Sequence, residues 1–394
     1  MSSLDPRNPF LSRVALSLRE ARPTSCLEPP PPLVEKIPDG LLTRVWFRTA
    51  GCQWDRRGAC TMCSYGSGPS RSAQQMVADV QTSLASAAVR TGTLLVSPSG
   101  SMCDPREVPA SAFLDILRLA SGSGFDRIIV ETRPETVTSD LLDQVVLLAD
   151  GRLAVEMGLE SSDPLVLRNC VNKMMRIDDW LSAAALLGAR GVPLTTNVSL
   201  GTAFLSPTEA VADAVSTVRW ALSHGSRDCI VFPLIVRAWT VLAHLWERGR
   251  HVPPSLWSLV EVLVRIGPDD ADRLSISWYR DYDADRGGAS PNMAVLAVPT
   301  TCPGCRDHVV RQLGIFRSTG DFATVAGLAQ HPCRCHDAWR ASLEHDVPPL
   351  RDRLPDEYER LGREVLGERW WAQHGNAVLE WLDSSFAQCP TRPV

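Results

Sequence analysis

Three cysteines near the start of the chain have a spacing that suits a metal cluster. Cys52, Cys60 and Cys63 form a C-x7-C-x2-C pattern directly after a β-rich run. Three thiolates can ligate three irons of a [4Fe–4S] cluster and leave the fourth iron open. An open metal position can bind a chelating ligand, as in catalytic zinc sites. The alternative is a structural zinc knuckle, which usually takes four ligands, and the sequence offers no fourth cysteine or histidine nearby.

Four further cysteines form a second group towards the C-terminus. Cys302-Pro-Gly-Cys305 and Cys333-Arg-Cys335 are separated by 27 residues. Four thiolates on one short segment indicate a metal site. We expect an auxiliary [4Fe–4S] cluster, which would conduct electrons, bind substrate or donate sulfur. Zinc, which would attach this segment to the rest of the protein, is the alternative that the spacing leaves open.

Strands alternate with helices along the middle of the chain. The β-rich runs are 43–49, 93–97, 127–132, 153–158, 193–200 and 229–236, with 274–278 a possible further one. Stretches with helical spacing are 110–120, 141–149, 180–189, 208–222 and 256–264. Such alternation predicts a parallel sheet, either a barrel or an open doubly wound sheet.

Polar and glycine residues cluster at the carboxyl ends of these predicted strands, where parallel α/β folds carry their chemistry. In chain order they are Cys52, then Ser99, Gly100 and Ser101, then Glu131 and Arg133, then Glu160, with Asn197 inside the fifth strand. Nothing comparable marks the strand starts. The sequence therefore predicts a site that gathers these residues at one end of the sheet.

Several segments together resemble the radical S-adenosylmethionine superfamily. They run in order from about residue 42 to 345 and are 51–66, 99–109, 131–135, 158–161, 171–173 and 248–257. The first contains Gly51-Cys52 and Gly58-Ala-Cys60-Thr-Met-Cys63-Ser-Tyr-Gly66. The motifs are most similar to the branch that holds archaeosine synthase and the radical domain of the elongator acetyltransferase.

This resemblance implies an α/β fold, a partial (β/α)6 TIM-type barrel with the cluster at its mouth. It implies that S-adenosylmethionine chelates the open iron and that Cys52, Cys60 and Cys63 are the cluster ligands. The cofactor-binding positions implied are Met62 against the adenine, Ser99, Gly100 and Ser101 near the methionine amino group, Glu131, Arg133 and Glu160 near the ribose or carboxylate, and Asn197. A guanidinium pairs well with a carboxylate, and a glutamate can accept from ribose hydroxyls. The alternative is a salt-bridge network that closes the barrel mouth.

Four segments are expected along the chain. They are an N-terminal extension (1–40), the partial barrel (41–288), a cysteine-rich metal segment (289–345) and a helical C-terminal tail (346–394). The stretch 285–301 departs from the archaeosine-type pattern, in which a histidine precedes the first cysteine. We expect this loop to approach the substrate. Cys103, just after the segment 99–101, is a candidate catalytic thiol that could donate a hydrogen atom to a product radical.

Composition bears on the substrate. The net charge is −5, from 40 Lys+Arg and 45 Asp+Glu, and no basic run appears. This weighs against a large polyanionic partner such as nucleic acid. No apolar run approaches the ~18 residues of a membrane span, and we expect a cytoplasmic protein without a secretory signal.

We therefore expect an enzyme that abstracts hydrogen from a small-molecule biosynthetic intermediate resembling a nucleoside, sugar or amino acid, such as one of secondary metabolism. Sulfur insertion from the second cluster and a flavodoxin- or ferredoxin-type electron donor are part of this hypothesis. The alternative is a tRNA-modifying radical lyase of the archaeosine kind.

Overall fold

A computed structural model describes residues 6–23, 31–66, 70–280, 294–345 and 347–388. Its strands are β1 (Leu33–Ile37), β2 (Gly40–Phe47), β3 (Thr93–Pro98), β4 (Arg127–Thr132), β5 (Leu153–Glu160), β6 (Leu194–Leu200), β7 (Asp228–Pro233), β8 (Val236–Arg237), β9 (Leu274–Ile276) and β10 (Val295–Ala297). In the described chain, one eight-stranded sheet has the order β1-β2-β3-β4-β5-β6-β7-β9, and β8 pairs with β10.

The large sheet is a curled partial barrel. Strands β2 to β7 pair in parallel in sequence order, β9 adds in parallel at one edge and β1 adds antiparallel at the other. Each predicted strand is found within a few residues of its expected bounds. The fold predicted from the alternation and the motifs is therefore confirmed.

Helices cover the outside of this sheet. They are α1 (Pro9–Arg19), α2 (Gln53–Arg56), α3 (Ala73–Ser86), α4 (Ala110–Ser121), α5 (Ser139–Leu148), α6 (Pro164–Val166), α7 (Ile177–Gly188), α8 (Pro207–Ser223), α9 (Val241–Glu247), α10 (Leu256–Ile266), α11 (Pro303–Thr319), α12 (Phe322–Ala329), α13 (Arg334–Leu343), α14 (Leu350–Leu366) and α15 (Glu368–Gln388). Helix α8 illustrates the local rules: Ser206 and Glu209 form a capping box, and Pro207 occupies the first turn, where its missing N–H costs nothing. Among the described residues, no helix is long and apolar enough to cross a membrane.

Helix α11 fills the gap between the two edges of the sheet. Its Arg317 donates to Glu35 of β1 over 2.9 Å and to the carbonyl oxygen of Ile276 in β9. Burial alone would raise the pKa of Glu35, but the charges of Arg317 and Arg44 hold it below its ordinary value. The buried Arg317 guanidinium thus links β1 and β9, the two edge strands of the large sheet.

Residues 1–40, expected to be an extension, contain a helix and a strand. Helix α1 packs against the C-terminal helix α14, with the Phe10 and Tyr358 rings 4.8 Å apart. Helix α14 also packs against α15: a Cβ at Gly362 of α14 would clash with the Trp371 ring of α15. The close packing of these two helices therefore requires glycine at position 362. The segment boundaries remain predictions, and residues 285–293 of the predicted substrate loop lie outside the described residues.

Candidate functional site

A cavity of about 750 Å³ lies inside the partial barrel. It is lined by both Thr93 and Pro98, the first and last residues of β3, so it extends along the whole length of that strand. We call it the barrel cavity. The sequence-predicted residues that line it are Cys52, Cys60, Met62, Cys63, Gly100, Glu131, Arg133, Glu160 and Asn197. Residues scattered over more than 140 positions are therefore brought together, as the strand-end pattern predicted.

Arg19, the last residue of α1, donates hydrogen bonds to the loop that carries the first three cysteines. Arg19 donates one hydrogen bond to the carbonyl oxygen of Asp55 at 2.7 Å. It donates others to the carbonyl oxygens of Ala59, Cys60 and Cys63, at 2.9, 3.0 and 2.9 Å. Because a buried carbonyl without a partner is costly, one arginine fixes the course of the whole loop.

The turn after β5 docks on the other side of the same loop. The backbone N–H of Cys60 donates to the carbonyl oxygen of Asn172 at 3.2 Å, and that of Thr61 donates to Val171 at 2.9 Å. The Asn172 amide donates to the carbonyl oxygen of Gly58 at 2.9 Å. Cys60 itself has a φ of 54°, a left-handed conformation that a non-glycine residue adopts only when its surroundings impose it.

The three thiols differ in their surroundings. Burial raises the pKa of Cys52 to about 12, although Arg133 donates towards its sulfur at 3.7 Å. A hydrogen bond from Cys60 lowers the pKa of Cys63, and the nearby charge of Arg237 acts in the same direction. A metal that binds thiolates must displace the remaining thiol protons.

Arg133 is the centre of a buried salt-bridge network. Its guanidinium donates to Glu107 at 2.6 Å, to Glu135 at 2.8 Å and to Asp104. Glu107 also accepts from the backbone N–H groups of Gln53 and Ser101, both at 2.6 Å. The network that the sequence left as an alternative is therefore present, and it ties the cysteine loop to the loop after β3.

Glu160 is held at a β-bulge. The β5–β6 register shifts between Gly158 and Glu160, and Glu160 has a φ of 71°. Its carboxylate accepts from Lys173 at 2.7 Å and from Ser199 at 2.6 Å. A Cβ at Gly158 would meet both Glu160 and Lys173 at 2.6 Å, so glycine makes room for this ion pair beside the cysteines.

Deeper in the barrel cavity lies a carboxyl pair. Burial first, and then the charge of Glu156, raises the pKa of Glu131 to about 8. The two side chains share a hydrogen bond, Ser97 donates to Glu131, and Asn197 donates to Glu156 at 2.8 Å. The charge of Arg44, which also lines the cavity, acts on both carboxyl groups and opposes these shifts.

Three predicted residues lie behind the cavity wall. Ser99 accepts from the backbone N–H of Thr49 at 2.9 Å, and the Ser101 hydroxyl lies 2.7 Å from that of Thr132. Cys103 packs in the hydrophobic core, and burial raises its pKa to about 11. The predicted hydrogen-donor role of Cys103 has no supporting contact in the described residues.

Arg237 lies beside the cysteines and was missed by the sequence analysis. It is 1% exposed, and it shares a side-chain hydrogen bond with Tyr65. Its guanidinium lies 5.1 Å from the Tyr65 ring and 4.4 Å from the Trp278 ring. Both rings line the barrel cavity. Arg237 follows β7 within a short apolar stretch, so the sequence carried no signal for it.

The second cysteine group is compact. The sulfur of Cys302 lies 3.5 Å from that of Cys305 and 3.6 Å from that of Cys333. The sulfur of Cys335 lies 3.4 Å from that of Cys305 and 3.3 Å from that of Cys333. Within the described residues, these four form a group whose ligand atoms all lie within 4.8 Å of one another. A metal site predicted from the C-x2-C and C-x-C pattern is thus geometrically possible.

This second group lies on the outer helices. Its cysteines are outside the set of described residues that line the barrel cavity. The Trp257 indole of α10 donates to the sulfur of Cys335 at 3.2 Å, and Trp339 of α13 donates to Ser258 at 2.9 Å. Burial opposes ionisation of Cys335, but N–H donation from Cys302 and Trp257 lowers its pKa to about 7.

Sequence comparisons agree with the motifs. No protein-family model matches the chain. Archaeosine synthase subunit beta of Methanosarcina acetivorans is 28% identical over 320 residues, which are 79% of this chain and 87% of that protein. The protein of the same name from Thermococcus kodakarensis is 26% identical over 308 residues, 76% of this chain and 90% of that one.

Among solved structures, methylornithine synthase matches with a TM-score of 0.44 and 13% identity, over 84% of this chain and 90% of that chain. The resemblance predicted from the ordered motifs is confirmed by the two sequence relatives. The chain therefore resembles archaeosine synthase subunit beta in sequence over more than three quarters of its length.

Proposed function

We propose that Cys52, Cys60 and Cys63 hold a [4Fe–4S] cluster whose open iron binds S-adenosylmethionine in the barrel cavity. When bound, this cluster supplies the electron that cleaves S-adenosylmethionine to a 5′-deoxyadenosyl radical. The observation that carries the proposal is the meeting of the three thiols in the lining of one cavity, where Arg133 donates towards the sulfur of Cys52 at 3.7 Å.

The surrounding residues hold the backbone of the cysteine loop in a fixed conformation. Arg19 and Asn172 fix its backbone from two sides. Most of the N–H groups of Arg133 donate to carboxylates. Its proposed role is therefore to orient Cys52 and to contact S-adenosylmethionine. Met62 and Gly100 line the cavity beside the cysteines, which supports adenine and methionine contacts there.

The proposed substrate is a small molecule, or a small part of a larger one, that reaches into the barrel cavity. Its volume of about 750 Å³ lies within the usual range for one or two small ligands. Glu131, Glu156 and Asn197 line this cavity together with the guanidinium of Arg44. Because this lining offers both acceptors and donors, an amide-bearing substrate suits it. The radical would abstract hydrogen from a carbon near these groups.

For the second cysteine group we propose one zinc ion. Four sulfurs around one zinc at a Zn–S length of about 2.3 Å lie about 3.8 Å apart. Four of the six sulfur–sulfur distances are 3.3 to 3.6 Å, and all six lie within 4.8 Å. In a cubane cluster each thiolate binds a different iron, so the thiolates must lie further apart. The location outside the cavity also favours a structural ion over an auxiliary cluster that donates sulfur to substrate.

The second candidate function is archaeosine-type modification of tRNA. The names of the two sequence relatives favour it. Only the base to be modified would have to enter the barrel cavity, so the acidic net charge of the chain weighs against it only weakly.

The test is reductive cleavage under anaerobic conditions. Protein reconstituted with iron and sulfide, reduced with dithionite and mixed with S-adenosylmethionine should form 5′-deoxyadenosine. The Cys60→Ala variant should form at least about 100-fold less, since a lost ligand removes the cluster, while Cys229→Ala serves as a matched control at a core cysteine. Equal product from wild type and Cys60→Ala would overturn the proposal. Addition of archaeal tRNA bearing the archaeosine precursor separates the candidates, since only the second predicts stimulation by it.

A further inference from the structure

A second cavity, of about 730 Å³, lies along α1. It is bounded by one face of that helix, by the cysteine loop and by α14 and α15. Among the described residues it shares no lining residue with the barrel cavity. We call it the basic groove, after the four arginines in its lining, Arg7, Arg13, Arg57 and Arg168.

Positive charge is concentrated in the basic groove. Its described lining holds four arginines and one carboxylate, that of Glu20, whereas the chain as a whole has a net charge of −5. Arg13 and Arg57 are exposed. A concave surface with an excess of one sign of charge raises the local concentration of oppositely charged partners. The groove therefore favours a partner with an acidic surface.

The basic groove adjoins the cysteine loop. Arg57 in its lining comes three residues before Cys60, so their Cα atoms are at most about 11 Å apart. Ser12, also in the lining, contacts the loop so closely that a Cβ at Gly58 would clash with its carbonyl oxygen. Since Cys60 lines the barrel cavity, residues of this one loop line both cavities. A protein too large for the barrel cavity can therefore approach the three cysteines at the basic groove.

The basic groove also has apolar surface. Leu16 of α1 is 42% exposed there, and Val365 and Leu366 of α14 are half-buried. Apolar surface next to charged side chains is the usual composition of a protein–protein interface. Phosphate groups offer no partner for such apolar side chains, so the lining suits a protein better than a nucleic acid.

The two indoles of the groove already have stacking partners. The Trp370 ring has the Arg13 guanidinium at 5.4 Å and the His374 ring at 4.6 Å. The Trp381 ring has the Arg168 guanidinium at 4.6 Å. Single-stranded nucleic acids bind by stacking their bases on aromatic side chains. Because these rings are stacked on side chains of the same molecule, they too favour a protein partner.

We propose that the basic groove is the docking surface for an acidic protein that carries one electron, such as a reduced flavoprotein or a small iron–sulfur protein. This rests on the proposed function, because it requires the cluster at Cys52, Cys60 and Cys63. In the step concerned, the reduced carrier loses one electron and the cluster gains it, and no atom or proton is transferred. Complementary charge acts mainly on the rate at which such partners associate.

The test measures 5′-deoxyadenosine formation with two reductants. One is a bacterial flavodoxin kept reduced by its reductase, and the other is dithionite, which is small and needs no docking surface. We compare reconstituted wild type with Arg13→Glu, Arg57→Glu and the double variant, with rates expressed per loaded cluster. Arg118→Glu, at an exposed arginine outside the groove, is the matched control.

The variants should differ from wild type with flavodoxin only. At low ionic strength, the kcat/KM for flavodoxin should fall at least about tenfold in the double variant, and added salt should reduce the difference. Arg118→Glu should match wild type with both reductants. With dithionite, all variants should match wild type.

The outcomes separate this proposal from the proposed function. If wild type forms no 5′-deoxyadenosine with dithionite, the proposed function fails. If dithionite supports the reaction but flavodoxin does not, or if the double variant uses flavodoxin as well as wild type does, only the docking surface is overturned. If Arg57→Glu loses iron, Arg13→Glu alone decides, and equal losses with both reductants in that variant contradict the proposal. Weaker tRNA binding by fluorescence anisotropy, with unchanged use of flavodoxin, would assign the groove to nucleic acid instead.

Discussion

A single residue far from the three cysteines in the sequence holds the cysteine loop in place. Arg19 bonds to backbone carbonyl groups at four positions of that loop, among them Cys60 and Cys63. It lies in a segment that the sequence assigned to a polar extension, because an amphipathic helix of eleven residues gives a weak signal beside the proline run. Its position 33 residues before Cys52 leaves no local pattern that would connect the two.

Arg19→Met should therefore impair cluster loading without removing a ligand. Each buried carbonyl left without a donor costs about 1–3 kcal/mol, so the loop should spend little time in the ligating geometry. We expect iron content after anaerobic reconstitution to fall by more than about half. Arg13→Met, an exposed position on the same helix, is the control. Equal iron in both variants would contradict the role given to Arg19.

The carboxyl pair predicts a pH dependence of stability. The pKa of Glu131 is raised in the fold from 4.5 to about 8, so the folded state binds this proton more tightly than the unfolded chain. Its contribution to stability is present below pH 4.5 and is lost as pH rises through about 8. Urea unfolding of the reconstituted protein should give a midpoint that falls over this range.

Glu131→Gln should flatten that dependence, because an amide cannot titrate there. Asp115→Asn, at an exposed carboxyl that pairs with Arg118 at 2.6 Å, should leave the slope as in wild type. An unchanged slope in Glu131→Gln would show that another group is responsible.

At the scale of elements, the closure of the partial barrel depends on α11. That helix begins with Cys302 and Cys305, two of the four cysteines of the second group, and carries Arg317 near its end, where the guanidinium links β1 and β9. The alternation of strands and helices in the sequence predicted the sheet but not its closure. Contacts between residues 282 positions apart, such as Glu35 and Arg317, leave no periodic signal.

Arg317→Met should destabilise the protein by about 3–5 kcal/mol, because it leaves the buried Glu35 carboxylate short of its main partner. The double variant Glu35→Met with Arg317→Met should recover part of this loss, since neither charge then remains. Thermal and urea unfolding measure both. Arg118→Met, which breaks an exposed pair, should change stability by no more than about 1 kcal/mol. Additive losses in the double variant would argue that the pair does not act as a unit.

At the scale of the whole molecule, the sequence predicted most of the fold and much of the candidate site. Strand-end residues such as Glu131 and Glu160 line one cavity because parallel strands end at the same edge of the sheet. The prediction did not identify Arg19 and Arg237, because contacts between distant parts of the chain place them near the cysteines. It also left the second metal open, because ligand spacing along a chain does not give the distance between sulfur atoms.

The two cysteine groups are proposed to hold different metals: a reactive cluster inside the barrel cavity and a structural ion on the outer helices. Loss of one should leave the other intact, because Cys60 and Cys333 lie on separate elements. Cys60→Ser should lose iron and keep zinc, and Cys333→Ser should do the reverse and unfold at a lower temperature.

The most direct test of this assignment is the metal content of anaerobically reconstituted wild-type protein that has been freed of loosely bound ions. We expect about four irons, about four acid-labile sulfides and about one zinc per chain. About eight irons without zinc would contradict the assignment of the second group, and no iron with zinc alone would contradict the radical chemistry proposed for the first.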